Sequence, residues 1–208
     1  MKVRIRWWWS LVILGAGLLM VASFYGDAGV QAWIADHQDA GMRKFMRGVG
    51  QFGDWPGHVT LGLVLLVLAF WRRSKKWMRI FAAMILACAL AGAGARVVKI
   101  AVGRPRPAVE SEAGWKGPSL SARNNSLPSG HTAASTAFFA TLAFACWRIG
   151  LPLMIVPLLI GVSRVYVNAH YLSDVVCAAL IGLISAFAIS QWLLSEIPVD
   201  SGRTKSRK

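Results

Sequence analysis

Acidic residues are scarce in this chain: nine Asp and Glu stand against 23 Lys and Arg, leaving a formal net charge of +14. Cysteine is scarcer still. Cys88, Cys146 and Cys177 each lie alone in an apolar segment with no CxxC spacing, which excludes a disulfide framework and a cysteine-based zinc site. Internal repeats and low-complexity tracts are absent. A basic excess of this size also marks nucleic-acid binders, but those carry it as a patch on a soluble module. Here the cations flank long apolar runs, so they read as topology signals and contacts to anionic lipid, and no nucleic-acid partner is expected.

What the chain has in abundance is apolar sequence, 56% of 208 residues. Crossing the hydrocarbon takes about 20 mostly apolar residues per helix. By that measure six spans are predicted, beginning near Trp7, Pro56, Trp77, His131, Leu151 and Asp174. The first, "WWWSLVILGAGLLMVASFY", follows Lys2, Arg4 and Arg6 and so shares features with a signal peptide. A retained span is preferred, because no small-x-small cleavage site closes it and Trp7 to Trp9 suit an interface. With both termini cytoplasmic, the cytoplasmic side receives Lys2, Arg4, Arg6, the run Arg72, Arg73, Lys75, Lys76 and Arg79, then Arg148, and a basic tail at 200–208. This is the positive-inside pattern. Trp55, Trp71, Trp77, Trp147 and Trp192 fall near span ends, where an amphipathic ring prefers the headgroup level.

Two long segments remain for the opposite face. In "GDAGVQAWIADHQDAGMRKFMRGVGQFGDW", Val30, Trp33, Ile34, Met42, Phe45, Met46 and Val49 partly follow helical spacing, with charges between them. This reads as a helix lying at the interface, with lipid access as the alternative. The other segment, Gly103 to Gly130, is polar, proline-bearing and rich in Arg and Ser, as functional loops are.

Topology does not explain Arg96, Lys99, Arg104, Arg106, Lys116, Arg123 and Arg164. A charge at a helix centre costs about 2.5 to 3.5 kcal/mol, so ionisable residues at span ends are functional candidates. Three short constellations fall at this level: Lys99 with Arg106-Pro107 in "KIAVGRPRP", Pro128-Ser129-Gly130-His131, and Ser163-Arg164, His170 and Asp174 in "SRVYVNAHYLSD". Three cations, two histidines and a carboxylate on one face suit a tetrahedral anion.

In order and internal spacing these pieces resemble the signature of the type 2 phosphatidic acid phosphatase superfamily: K-x6-RP, then PSGH, then SR-x5-H-x3-D. Arg104-Pro105 is a second RP pair that the family's spacing leaves outside the motif. The resemblance implies an all-α fold of the membrane-bound branch: a polytopic protein of six transmembrane helices with an interfacial helix and an extracytoplasmic active-site loop. It implies His170 as the nucleophile, giving a phosphohistidine. Asp174, one helical turn on, would fix its tautomer. His131 matches the general acid, and Lys99, Arg106 and Arg164 the groups that hold the phosphoryl oxygens. Pro128, Ser129 and Gly130 would turn the chain into the fourth span so that backbone N–H groups and the Ser129 hydroxyl face phosphate, with Gly130 allowing close approach. Ser163 either donates to phosphate or bonds its own helix. His37 and His58 lack such partners and read as structural; Arg104, Lys116 and Arg123 read as headgroup contacts or a solvated loop.

Asp174 is the single carboxylate in the motifs, so no metal and no cofactor is expected. The expected activity is hydrolysis of a membrane lipid phosphate or diphosphate on the extracytoplasmic face of a bacterial inner membrane; relatives act on undecaprenyl diphosphate, phosphatidylglycerophosphate, phosphatidic acid or lipid A phosphates. The alternatives are transfer of the phosphate to another lipid, and a non-catalytic lipid-binding membrane scaffold. Residues 1–208 read as one membrane-embedded domain with a motif-bearing core at 96–178, its partners being the lipid substrate and membrane lipids and no obligate protein.

Overall fold

The computed structural model describes residues 2–109 and 114–195, with side chains from Trp7 onwards; the basic tail at 200–208 lies outside the described residues. Among these the protein is all-helical: α1 (Lys2–His37), α2 (Ala40–Gln51), α3 (Trp55–Trp71), α4 (Lys75–Val102), α5 (Gly130–Ala145), α6 (Trp147–Leu153), α7 (Ile155–Tyr166) and α8 (Leu172–Leu193), with a 3-10 turn at Ala122–Asn124.

Four stretches are long and apolar enough to cross a membrane: α1 from Trp7, α4, α6 with α7, and α8. A fifth is added if α2 and α3, which meet at 49°, are taken as one bent span. At 17 and 16 residues, α3 and α5 are shorter. The short α5, about 24 Å at a 1.5 Å rise, is enclosed by its neighbours, and every residue from Thr132 to Leu142 is buried. Lipid tails are as apolar as a leucine, so packing rather than water exclusion holds such helices together, and small residues let backbones approach. The chain supplies them on a four-residue period: Ala87, Ala91 and Ala95 of α4 meet Ala133 and Ala137 of α5 and Ala178 of α8. Towards the far end Ile80, Met84, Phe138, Phe139 and Leu142 fill the wider space.

The segment around Val30 to Val49 departs from the expected single interfacial helix. Gly26, Asp27 and Gly29 do not end α1, which continues to His37. A glycine inside a helix costs only about 1 kcal/mol, and Asp27 is buried against a cation described below. Val30, Trp33 and Ile34 therefore belong to α1, while Met42, Phe45, Met46 and Val49 form the separate α2. Asp39 caps α2, accepting from the N–H groups of Gly41 (3.0 Å) and Met42 (2.7 Å).

Gly103 ends α4 in a left-handed conformation (φ +62°), and a Cβ there would fall 1.8 Å from the Gly117 carbonyl oxygen. Only glycine fits this turn, and Arg104 and Arg106 follow directly.

Candidate active site

The C-terminal ends of α4 and α7 and the N-terminal ends of α5 and α8 meet at one end of the bundle. Backbone hydrogen bonds lock them: Ser126 N–H to Arg104 O (2.9 Å), Ser129 N–H to Asp174 O (3.1 Å), and His170 N–H to Arg164 O (3.2 Å). All three sequence constellations are thereby drawn together.

His170 lies just before α8 and is 2% exposed. Its Nδ1 stands 3.4 Å from Asp174 Oδ2, and burial pushes the imidazole down to about 4 from its ordinary value of 6.5. The ring is therefore neutral near pH 7, with Nδ1–H towards the carboxylate and the Nε2 lone pair free. Asp174 is wholly buried. Besides His170 it accepts from Arg104 Nη1 (2.7 Å), from the Tyr171 N–H (3.0 Å) and from the Ser126 hydroxyl.

Arg104 is the largest departure from the sequence reading. Rather than a headgroup contact or part of a solvated loop, it is 7% exposed and sits over the Tyr171 ring at 3.9 Å. Its Nη2 donates to Asp27 Oδ2 on α1 at 2.7 Å, and its Nη1 to Ser173 Oγ at 2.6 Å as well as to Asp174. Ser173 in turn donates its N–H and hydroxyl to Asp27, at 2.9 and 2.6 Å. A buried charge is tolerable only when paired and hydrogen-bonded, and this cluster meets that condition for both carboxylates.

Lys99, Arg106 and Gly130 line a cavity of about 310 Å³, together with Arg96 and Asn125. Arg106 is aimed by its Nε–H to the Ala122 carbonyl (3.1 Å). Asn125 is 2% exposed, yet neither its amide nitrogen nor its amide oxygen has a partner among the described residues. Arg96, Lys99, Arg106 and the Asn125 amide N–H groups give this cavity the positive charge and the donors that hold an anion. A Cβ on Gly130 would meet nothing within 4 Å, so the space above this helix N-terminus is open. Arg164, at the end of α7, also has a buried Nε without a partner among the described residues. Lys99, Arg106 and Arg164 are close enough to act electrostatically on one another.

Of the two motif serines, Ser129 departs from the expectation and Ser163 takes the second of its two expected roles. Ser129 is wholly buried, and its Oγ caps α5 by accepting from the Thr132 hydroxyl (3.0 Å) and N–H (3.5 Å). Ser163 donates to the Ile160 carbonyl of its own helix at 2.7 Å. His131 is placed at the start of α5, where its Nε2 pairs with Asp54 Oδ1 at 2.7 Å. His37 stacks on Trp33, and His58 packs against Phe138 and Phe139, both in structural settings.

Sequence reasoning thus missed Asp27, Asp54, Asn125, Ser126 and Ser173, and it singled out Arg104 but gave it a different role. For Asp27 a signal existed, since a carboxylate inside an apolar helix needs a partner. Asn125 and Ser126 adjoin a motif but carry no spacing rule. A second cavity of about 590 Å³, apolar, lies between α1, α7 and α8; Trp33, Ile34, Val165 and Val175 line it, and Thr132 borders it next to His131.

The chain is similar to several known proteins. Undecaprenyl-diphosphatase BcrC of Bacillus subtilis (strain 168) is 38% identical over 66 residues, 32% of this chain and 34% of that protein, so the match spans about a third of that relative. The crystal structure of Aquifex aeolicus LpxE is similar with a TM-score of 0.61 and 25% identity, covering 79% of this chain and 94% of that one. A transmembrane PAP2 type phosphatidylglycerolphosphate phosphatase from Bacillus subtilis shares the fold, with a TM-score of 0.69 at 18% identity over 95% of this chain and 98% of that one. The PAP2 superfamily model matches residues 80–197, more than half of the chain and all three motifs, and this multi-pass membrane protein therefore belongs to the PAP2 superfamily.

Proposed function

We propose that the protein is a lipid phosphatase that cleaves a phosphate monoester or diphosphate through a phosphohistidine. The observation that carries this reading is the buried His170–Asp174 pair within electrostatic reach of Lys99 and Arg106, two cations that line a cavity with Gly130 and Asn125. Asp174 holds Nδ1–H, and Nε2 of His170 attacks phosphorus. As the N–P bond forms, the bond from phosphorus to the leaving oxygen breaks, and His131 protonates that oxygen. Water then attacks phosphorus and gives its proton to His131; the N–P bond breaks and phosphate leaves. Lys99, Arg106 and Arg164 offset charge on the equatorial oxygens. Ser129 supports this indirectly: it caps α5 by taking the Thr132 N–H, and the N–H groups of Gly130 and His131 remain for the anion.

These steps call for no metal. Among the described residues no three His, Cys, Asp or Glu side chains are grouped as metal ligands would be. The substrate class follows from the setting: a lipid whose phosphate enters the cationic cavity while its chain lies among apolar helices, with the 590 Å³ apolar cavity one place for it. Undecaprenyl diphosphate, phosphatidylglycerophosphate, phosphatidic acid and lipid A phosphate are the candidates. Counting α3 and α5 as crossings gives six spans in a single domain. Both termini are then cytoplasmic and the site faces the other side of a bacterial inner membrane.

The test is phosphate release in detergent with EDTA from undecaprenyl diphosphate, phosphatidylglycerophosphate, phosphatidic acid and a lipid A phosphate. Release that persists in EDTA and vanishes in His170→Ala supports the reading. Folded protein that releases phosphate from none of them removes it, and appearance of label on an added lipid acceptor would replace hydrolysis with phosphotransfer.

A further inference from the structure

The turn between α2 and α3 reaches into the site, and its role is not accounted for by the three motifs. Asp54, the residue before α3, places Oδ1 2.7 Å from Nε2 of His131. The contact is built in rather than incidental. A Cβ on Gly53 would fall 2.5 Å from Ile160 Cγ2 and 3.1 Å from His131 Cβ, and one on Gly50 would fall 2.9 Å from Arg164 Nη1. Glycine at both positions lets the turn close onto α7 and α5, and His58 Nδ1 faces the Asp54 carbonyl at 3.1 Å behind it.

The charges around His131 explain why a carboxylate is needed there. Arg164 from α7, Lys99 from α4 and Arg106 from the loop after it all act on the ring, and each opposes a positive imidazolium. Asp174, at the start of α8, is already occupied by Arg104, Ser126 and the Tyr171 N–H. Asp54 is thus the carboxylate left to favour the protonated ring. With 59% of its side chain exposed against 27% for His131, it stands on the solvent side of the pair.

We infer that Asp54 is a positioning residue for the general acid: by holding Nε2–H of His131 it fixes the ring and leaves Nδ1 as the nitrogen that gives a proton to the leaving oxygen and takes one from water. The arrangement mirrors His170, where Nδ1 is held and Nε2 acts. This inference rests on the phosphatase reading.

A dependence on the leaving group separates it from a merely structural role. Proton donation matters for a poor leaving group, an alkoxide, and little for a nitrophenolate, which departs without a proton. Wild type, Asp54→Asn and Asp54→Glu are assayed in detergent on a short-chain phosphatidic acid and on p-nitrophenyl phosphate. The expected result is a loss of about 10- to 100-fold in kcat/KM for Asp54→Asn on the alkyl ester, a change within about threefold in kcat/KM on the aryl ester, and partial recovery in Asp54→Glu; kcat/KM reports the step that expels the leaving oxygen and not the later attack of water, which both esters share. Equal losses on both esters, or none on either, overturn the inference while leaving the phosphatase reading intact. Wild type that is silent on both esters and on the wider lipid panel overturns the phosphatase reading, and this inference with it.

Discussion

Arg104 donates through Nη1 to Asp174 at 2.7 Å while its Nη2 holds Asp27 at the same distance, so one guanidinium ties α1 to the carboxylate behind His170. The first helix, which is otherwise almost entirely exposed on its apolar faces, is joined to the site by this cluster. Removing the cation leaves two buried carboxylates without their shared partner. Arg104→Ala is expected to destabilise the protein by about 3 to 5 kcal/mol, and Asp27→Asn by about 1 to 3 kcal/mol. Thermal unfolding in one detergent checks both, and unchanged midpoints would reduce the cluster to an incidental contact.

Substitution of Asp174 acts on catalysis through His170. Asp174→Asn keeps the shape but removes the charge that fixes the Nδ1–H tautomer, and kcat is expected to fall by about 10³ to 10⁴. His170→Ala should abolish release altogether. A trapped phospho-enzyme, seen by labelled phosphate in an acid quench of wild type and missing in His170→Ala, checks the covalent step. Label retained in that variant would move the nucleophile elsewhere.

Asn125 is expected to bind the anion. Asn125→Ala should raise KM for the lipid phosphate by about tenfold with a smaller change in kcat, as loss of one hydrogen bond to a charged group implies. Asn125→Asp, which sets a negative charge against the oxygens of the bound phosphate, should cost more. Kinetics unchanged in both would mean that the orphaned amide is satisfied by water alone.

The protonation of His170 sets an acid limit. Its folded pKa is lowered from 6.5 to about 4 by burial, and the attacking form is neutral, so this residue stays competent as pH falls until about 4. The limb of kcat/KM that it contributes should lie there rather than near 6.5. Stability follows the same sign: the unfolded chain binds the proton first, so the contribution is lost as pH falls from 6.5 towards 4. A titration of the His170 ring followed by its own NMR signals, with a midpoint near 6.5, would contradict this.

Most of the site was legible in the sequence because its three constellations are short and locally spaced. Four-residue spacing puts His170 and Asp174 one helical turn apart, and PSGH directly precedes the buried run of α5. The helix starts near Trp55, Lys75, Gly130 and Leu172 were legible for the same reason, since apolar runs, caps and turn residues mark them locally. The passage of α1 through Gly26 and Gly29 was not, because what stabilises Asp27 inside a helix is a cation 77 residues away.

What the sequence determined by itself, then, was the order of apolar helices and the chemical inventory of the motifs, both of which depend on neighbouring residues. Tertiary structure alone decided which charges neutralise which: that Arg104 serves Asp27 and Asp174, that Asp54 meets His131, and that Ser129 is spent on a helix cap. Ion pairs buried between helices depend on distances of a few ångströms across the bundle, and no local spacing along the chain encodes those distances.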